Sequence, residues 1–235
     1  MIPILTSSRG LIGFPPAIQG LQLWLDAADT TTITQSSGSV SQWNDKSGNG
    51  NDVTQGTADN QPTTNASTQN GKNIIDFDGN DILDLPSGLF GIPNSNNTMF
   101  VVANTPLDTT FQRVVNFEDG GGSILRMSFS SVSGTVSYGG STPINFSGVT
   151  KANMNIIRGR ISGTTQAISV NGQAEQSNTS YTQTAAISGV IGGSNPSSQT
   201  LTGSIAEILM YDRSLLAAES SAVEAYLSAK WGISI

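Results

Sequence analysis

The stretch Gly203–Trp231, GSIAEILMYDRSLLAAESSAVEAYLSAKW, decides how the rest of the chain is read. Its first half is a strand. Ile205, Ile208 and Met210, with Leu209 and Tyr211 on the other parity, make a mostly apolar run suited to a buried sheet position. A short turn follows. Leu216, Val223, Leu227 and Trp231 then fall at spacings of seven and four residues, the apolar line of an amphipathic helix, with Glu219, Glu224 and Lys230 off that line.

Working outward, Leu21, Leu23 and Leu25 alternate with Gln22 and Trp24 as a half-buried strand at the start of a domain beginning near Gly20. A polar loop, Asp29–Ser39, leads to Val40–Trp43 and then to Asn44–Asp52 (NDKSGNGND), which is dense in turn formers. Residues 53–72 have almost no apolar content and read as a long exposed loop. Short strands are expected at Asn73–Asp78, Asp81–Leu85, Met99–Asn104, Gln112–Glu118, Ile124–Ser130 and Thr135–Tyr138. Others are expected at Asn153–Ile161, Gln166–Asn171 and Ala186–Ile191, with Asn171-Gly172 a hairpin signal. Many short strands with turn residues between them, and one closing helix, indicate an all-β sandwich.

Composition narrows the function classes. Charged residues are 11% of the 235, against roughly 25% in average domains, so Ser, Thr, Asn, Gln and Gly carry solubility. A net charge of −7 argues against nucleic acid and anionic membrane surfaces as partners. With no cysteine and no histidine, thiol nucleophiles, zinc-thiolate sites and Ser-His-Asp chemistry are excluded. Met1–Gly20 lacks a basic n-region and is broken by Pro3, Thr6, Arg9, Pro15 and Pro16, so it reads as an arm over residues 1–19, not as an export signal. No run approaches the roughly 20 apolar residues of a membrane span.

The order of these segments resembles the LamG-like jelly-roll domains of the concanavalin A-like lectin/glucanase superfamily. The residues that carry it are Leu23–Ala27 (LWLDA), Trp43–Asn51 (WNDKSGNGN), Ile75–Leu83 (IDFDGNDIL), Ile168–Gly172 (ISVNG), Gly203–Tyr211 and the helix to Trp231. The resemblance implies a two-sheet antiparallel jelly-roll sandwich with one C-terminal helix, its first strand beside its last and Trp231 tucked against a sheet. Relatives often put Ser or Asp at the helix start, where this chain has Leu216, with Ser214 as the alternative cap.

Glucanases of the superfamily use paired glutamates on one strand. The five glutamates here, Glu118, Glu175, Glu207, Glu219 and Glu224, do not reproduce that spacing, and a non-enzymatic protein is expected. Asp76–Asp84 (DFDGNDILD) starts like an EF-hand, but Asp81 stands where its glycine belongs and Ser87 where its glutamate belongs, so it reads as a tight turn with outward carboxylates. No cofactor is required. A structural Ca²⁺ is the one metal the resemblance suggests, with Asp45, Asn49 and Glu207 as its candidate ligands; the competing reading gives Asp45 and Asn49 to Asx-turns and pairs Glu207 with an arginine such as Arg213. Trp43, Tyr138 and Tyr181 are the candidate aromatic platform for a glycan.

The polar, low-charge surface and absent export signal first suggest a virion protein, such as a bacteriophage decoration, head-fibre or tail-associated protein. It would attach to capsid or tail proteins through residues 1–19, with homo-oligomerisation through sheet faces, edge strands or the arm. The alternative is a carbohydrate-binding module for host-surface or extracellular glycans, outside the cell by another route.

Overall fold

The computed structural model describes residues 18–194 and 199–235, so the expected arm lies outside the described residues except for Ile18 and Gln19. In chain order the strands are β1 (Leu21–Asp26), β2 (Ile33–Ser36), β3 (Ser39–Trp43), β4 (Val53–Thr54), β5 (Thr63–Gln69) and β6 (Lys72–Asp78). Next come β7 (Leu83–Asp84), β8 (Asn97–Asn104), β9 (Gln112–Glu118), β10 (Ser123–Phe129), β11 (Thr135–Gly139) and β12 (Ile144–Ser147). The last are β13 (Asn155–Ser162), β14 (Thr165–Val170), β15 (Gln176–Asn178), β16 (Ser188–Ile191) and β17 (Thr202–Tyr211), followed by α1 (Ala217–Trp231).

All the pairings are antiparallel and join into one ladder. It runs β15–β14–β13–β8–β17, where β17 divides, its C-terminal half pairing with β1 and its N-terminal end with β6. From β6 it continues through β5, β3, β4, β7, β16, β9, β10 and β11 to β12. The ladder rolls back until β11 and β12 lie beside β14, which nearly closes it. β1 and β17 are indeed neighbours, with Leu21 opposite Tyr211 and Asp26 opposite Glu207.

One core fills the roll and a second lies outside it, under the helix. Leu23, Leu25, Val101, Ile157, Ile208 and Met210 face the inner core, where they meet Val115, Phe117, Leu125, Met127 and Phe129 from the other arm of the ladder. Trp24, Phe100, Val102, Leu209 and Tyr211 face outward and are covered by Val223, Leu227 and Trp231 of α1. β1 is therefore buried on both faces, not half-buried. Gly159 on β13 lets the inner layers meet: a Cβ there would lie 2.2 Å from the Tyr138 ring.

A bulge in β17 reconciles its apolar residues with a strand. The register against β8 slips between Ile205 and Glu207, which puts Ile205 and Ile208 in the same core although they are three apart. It also turns Glu207 toward the helix, where it meets the Trp231 indole.

Some expectations fail for identifiable reasons. Residues 53–72 are not a long loop, because β5 (TTNASTQ) pairs with β6; its side chains are mostly exposed, so backbone pairing makes a strand that apolar patterning does not show. Leu216 is 68% exposed, and Leu215 is the buried residue at the helix entrance. Leu216 sits at the N-cap with no side-chain acceptor, and the Glu219 carboxylate accepts its backbone N–H at 2.8 Å instead. Ser214 does not cap, its hydroxyl accepting from Arg160. Glu224 is buried against Arg158 at 2.9 Å.

Trp231 is fully buried and its indole N–H is bonded within the core. Trp231→Ala is expected to cost about 4 kcal/mol. Urea denaturation of the two proteins measures it, and a difference below 1 kcal/mol would mean that α1 is not held by this side chain.

Candidate functional site

Of the residues expected to bind calcium, Asp45 and Asn49 share one loop and Glu207 lies apart from them, and all three are spent on protein partners. The Asp45 carboxylate accepts from the backbone N–H groups of Trp24, Ser47 and Asn51 and from the Ser47 hydroxyl, at 2.6–3.0 Å. Asn49 donates to the Leu21 carbonyl at 2.8 Å. Glu207 is on the other side of Trp24, fully buried. One of its oxygens accepts from the Trp24 indole at 2.7 Å and the Tyr226 hydroxyl at 3.0 Å. The other accepts from the Trp231 indole at 2.6 Å and lies 2.8 Å from the Lys230 ammonium. Arg213 pairs with Glu219, so the expected Glu207–Arg213 pair is corrected to Glu207–Lys230. Burial pushes the Glu207 carboxyl up and the Lys230 charge works against that. Among the described residues no group of three His, Cys, Asp or Glu side chains is arranged to hold a metal.

The aromatic platform is also corrected. Trp43, Tyr138 and Tyr181 all lie in the inner core. The Tyr138 hydroxyl donates to Asn97 at 2.6 Å and the Tyr181 hydroxyl to the Pro93 carbonyl at 2.8 Å, and burial pushes both phenols up. Trp43 is on β3 and Tyr138 on β11, while Tyr181 follows β15 outside any strand, and the roll of the ladder buries all three. Of the three, Tyr181 alone borders the cleft described next.

Two clefts stand out. The larger, about 550 Å³, lies beside the C-terminal residues and is lined by the carboxamides of Asn104, Asn153, Asn155 and Asn171. Most of these are used internally: Asn171 donates to Asn155 at 3.0 Å, Asn155 to the Thr150 carbonyl, and Asn104 to the Ala152 carbonyl while accepting from the Ser204 N–H.

The second cleft, about 440 Å³, is of another kind. It lies over β9 and β10, on the face turned away from the inner core, and Arg113, Arg126, Ser123 and Ser141 line it with Tyr181 and Thr182. Six of the eleven buried side-chain polar atoms without a hydrogen-bond partner among the described residues belong to these two strands: Gln112 Nε2, Arg113 Nε, Asn116 Oδ1, Ser123 Oγ, Arg126 Nε and Ser128 Oγ. Buried polar groups are normally paired, and three of the six, on Arg113, Ser123 and Arg126, belong to residues that line the cleft.

A second bulge builds this face. The β9–β10 register slips between Met127 and Ser128, so Val114 and Val115 both enter the core. Arg113 then joins Asn116, three residues on, at the cleft side. Arg126 is opposite Asn116 on β9 and opposite Gly139 on β11. Gly139 has φ +124°, and a Cβ there would collide with Gln166.

Glu118 is the carboxylate of the floor. It lies 3.1 Å from Arg113 and accepts from Asn116 at 2.6 Å. Arg126 has no carboxylate within 4 Å, unlike every other described arginine. Its guanidinium stands 5.7 Å from the Phe111 ring centroid. Burial, and then the charge of Arg113, pull its pKa below the usual arginine value. Strand arginines in a chain with ten basic residues were the available sequence signal for this site. The bulge that gathers them was not readable.

The fold is shared with solved structures at low sequence identity. Trypanosoma rangeli sialidase in complex with the inhibitor DANA superposes with a TM-score of 0.65 and 14% identity over 97% of this chain and 35% of the sialidase. A GH54 α-L-arabinofuranosidase gives 0.64 and 12%, covering 90% of this chain and 60% of the enzyme. The binding domain of botulinum neurotoxin serotype D/C gives 0.59 and 9%, over 92% and 56%. The chain spans about a third of the length of the sialidases it matches. No protein-family model matches it, and no curated protein does. No helix among the described residues is long and apolar enough to cross a membrane.

The aspartate-rich turn yields a pH test. Asp78 is exposed as expected, but Asp81 folds inward to accept the Asp78 N–H at 2.9 Å, and burial, with the nearby Asp78 charge, pushes its carboxyl up to about 6. A folded-state value above the unfolded one means that ionisation costs stability, so stability falls as pH rises from about 4 to about 6. Asp81→Asn keeps the acceptor oxygen and removes that cost. It is expected to stabilise the protein at pH 7.5 by about 1 kcal/mol, discounted for solvent beside the turn, and by nothing at pH 4. Denaturation curves at both pH values test this, and an equal effect at the two would refute it.

Proposed function

We propose that the chain is a non-enzymatic recognition module, a two-sheet jelly-roll sandwich that binds hydroxyl-rich glycans in the cleft over β9 and β10. The observation that carries this reading is the set of unpartnered polar atoms on the residues that line that cleft. They are the Ser123 hydroxyl and the Nε donors of Arg113 and Arg126. Sugar hydroxyls both donate and accept, so a glycan matches such a mixed set where an apolar ligand does not. Sialidases and an arabinofuranosidase among the structures of similar fold are consistent with a glycan ligand by analogy only.

The non-enzymatic reading rests on the carboxylates. Glycoside hydrolysis commonly takes two carboxyl groups about 5–9.5 Å apart, one of them free to exchange a proton. Glu118 is engaged by Arg113 and Asn116, while Asp119 is exposed at the rim and accepts the Gly121 N–H at 2.9 Å. Glycan recognition is placed ahead of a purely structural virion role because the cleft gives it a site. A module of this kind carried on a particle through residues 1–19 would satisfy both.

The test is glycan binding by wild type and by Ser141→Trp, an exposed position on the cleft wall. The indole is expected to abolish binding with no change in melting temperature, and the bound glycan is expected to be recovered uncleaved. Failure of wild type to bind any of a panel of neutral and acidic oligosaccharides would overturn the reading, as would cleavage of the glycan or full binding by the variant.

A further inference from the structure

We infer that the cleft takes an acidic sugar, with the ring carboxylate held by Arg126 beside Arg113; this rests on the glycan reading above and adds the ligand's charge. The other described arginines, and every described lysine but Lys72, are matched to anions. Lys230 lies between Asp26 and Glu207, Lys46 between Asp26 and Asp29, and Arg158 between Glu175 and Glu224. Arg126 breaks the pattern, and its nearest charged neighbour is a second arginine whose own carboxylate, Glu118, is already shared with Asn116.

A guanidinium drawn out of water without a counter-ion is costly, and its cost falls when a ligand brings the missing charge. The planar fork favours a planar carboxylate, which it can bind through two parallel hydrogen bonds. Phe111 against the guanidinium limits how that fork can turn. The rest of the lining calls for hydroxyls on the same ligand: Ser141, Ser180, Thr182 and Thr184 surround the opening, and the Ser123 hydroxyl on its wall lacks a partner. A polyanion such as a nucleic acid is a poor match, since Asp119 stands at the rim and the chain carries a net charge of −7.

Calorimetry with a glucuronate trisaccharide, the neutral glucose trisaccharide of the same linkage, and the 6-sulfated glucose trisaccharide tests the inference. The glucuronate ligand is expected to bind wild type about 30-fold more tightly than the neutral one, the size of one charge-assisted hydrogen-bonded pair. Arg126→Gln is expected to erase that preference and leave neutral binding in place. Arg126→Lys, which keeps the charge and loses the fork, is expected to retain only part of it, and it serves if the glutamine variant does not fold. Equal binding of acidic and neutral ligands by wild type would overturn the charge assignment and leave the glycan reading standing; binding of none would overturn both. An acidic preference that survives in both variants would move the anion away from Arg126, and tighter binding of the sulfated ligand would overturn the carboxylate.

Discussion

The buried carboxylate of Glu207 is the constraint on which the closure of the fold depends. It sits on β17, takes indole N–H donors from β1 and α1, and reaches Lys230, which continues to Asp26 at the end of β1. A lone carboxylate in this position would cost several kcal/mol, and here each oxygen has two donors. The first strand, the last strand and the helix must therefore be in place together for any of these groups to be satisfied. Apolar burial of Trp24, Leu209 and Trp231 supplies the driving force, and the polar network fixes where the helix lies.

The same economy of backbone irregularity shapes both the cleft face and the helix-covered face. In β17 a one-residue bulge sends Ile205 and Ile208 into one core and turns Glu207 to the helix. In β9 a bulge sends Val114 and Val115 inward and gathers Arg113 with Asn116 at the cleft. Strict alternation would have split each of these sets between two faces. The two bulges lie on opposite arms of the ladder, so the helix-covered face and the cleft are built independently.

This explains what the sequence made legible. Val223, Leu227 and Trp231 follow the helical period, and the pairing of the first and last strands is what the resemblance to LamG-like domains implies, so the closure was readable. β5 was not, because its pairing is a backbone property and its side chains face solvent. Trp43, Tyr138 and Tyr181 are buried instead of exposed because local sequence does not say which side chains the far arm of the ladder will cover. Glu207 was singled out for its position, but its partners, Lys230 and two indoles, came from elements that only the rolled ladder brings together. Arg113 and Arg126 carried a faint signal as charges inside strands, and their meeting depends on a bulge that leaves no mark on composition.

A protein with so few charges gives each buried one more meaning. Lys151 is nearly inaccessible, yet its ammonium meets the Ser130 and Asp108 carbonyls and lies 3.3 Å from the Asp108 carboxylate. Glu224 has Arg158, and Glu207 has Lys230. These pairs tie strands, loop and helix together. Arg126 stands in the same ladder under the same desolvation pressure, and its neighbours on β9 and β10 supply amide, hydroxyl and a second cation where a carboxylate would have completed a structural pair. Stability alone would favour that carboxylate or an apolar residue. The uncompensated guanidinium, open to a cleft and set against Phe111, is best accounted for by a partner that comes from outside the chain.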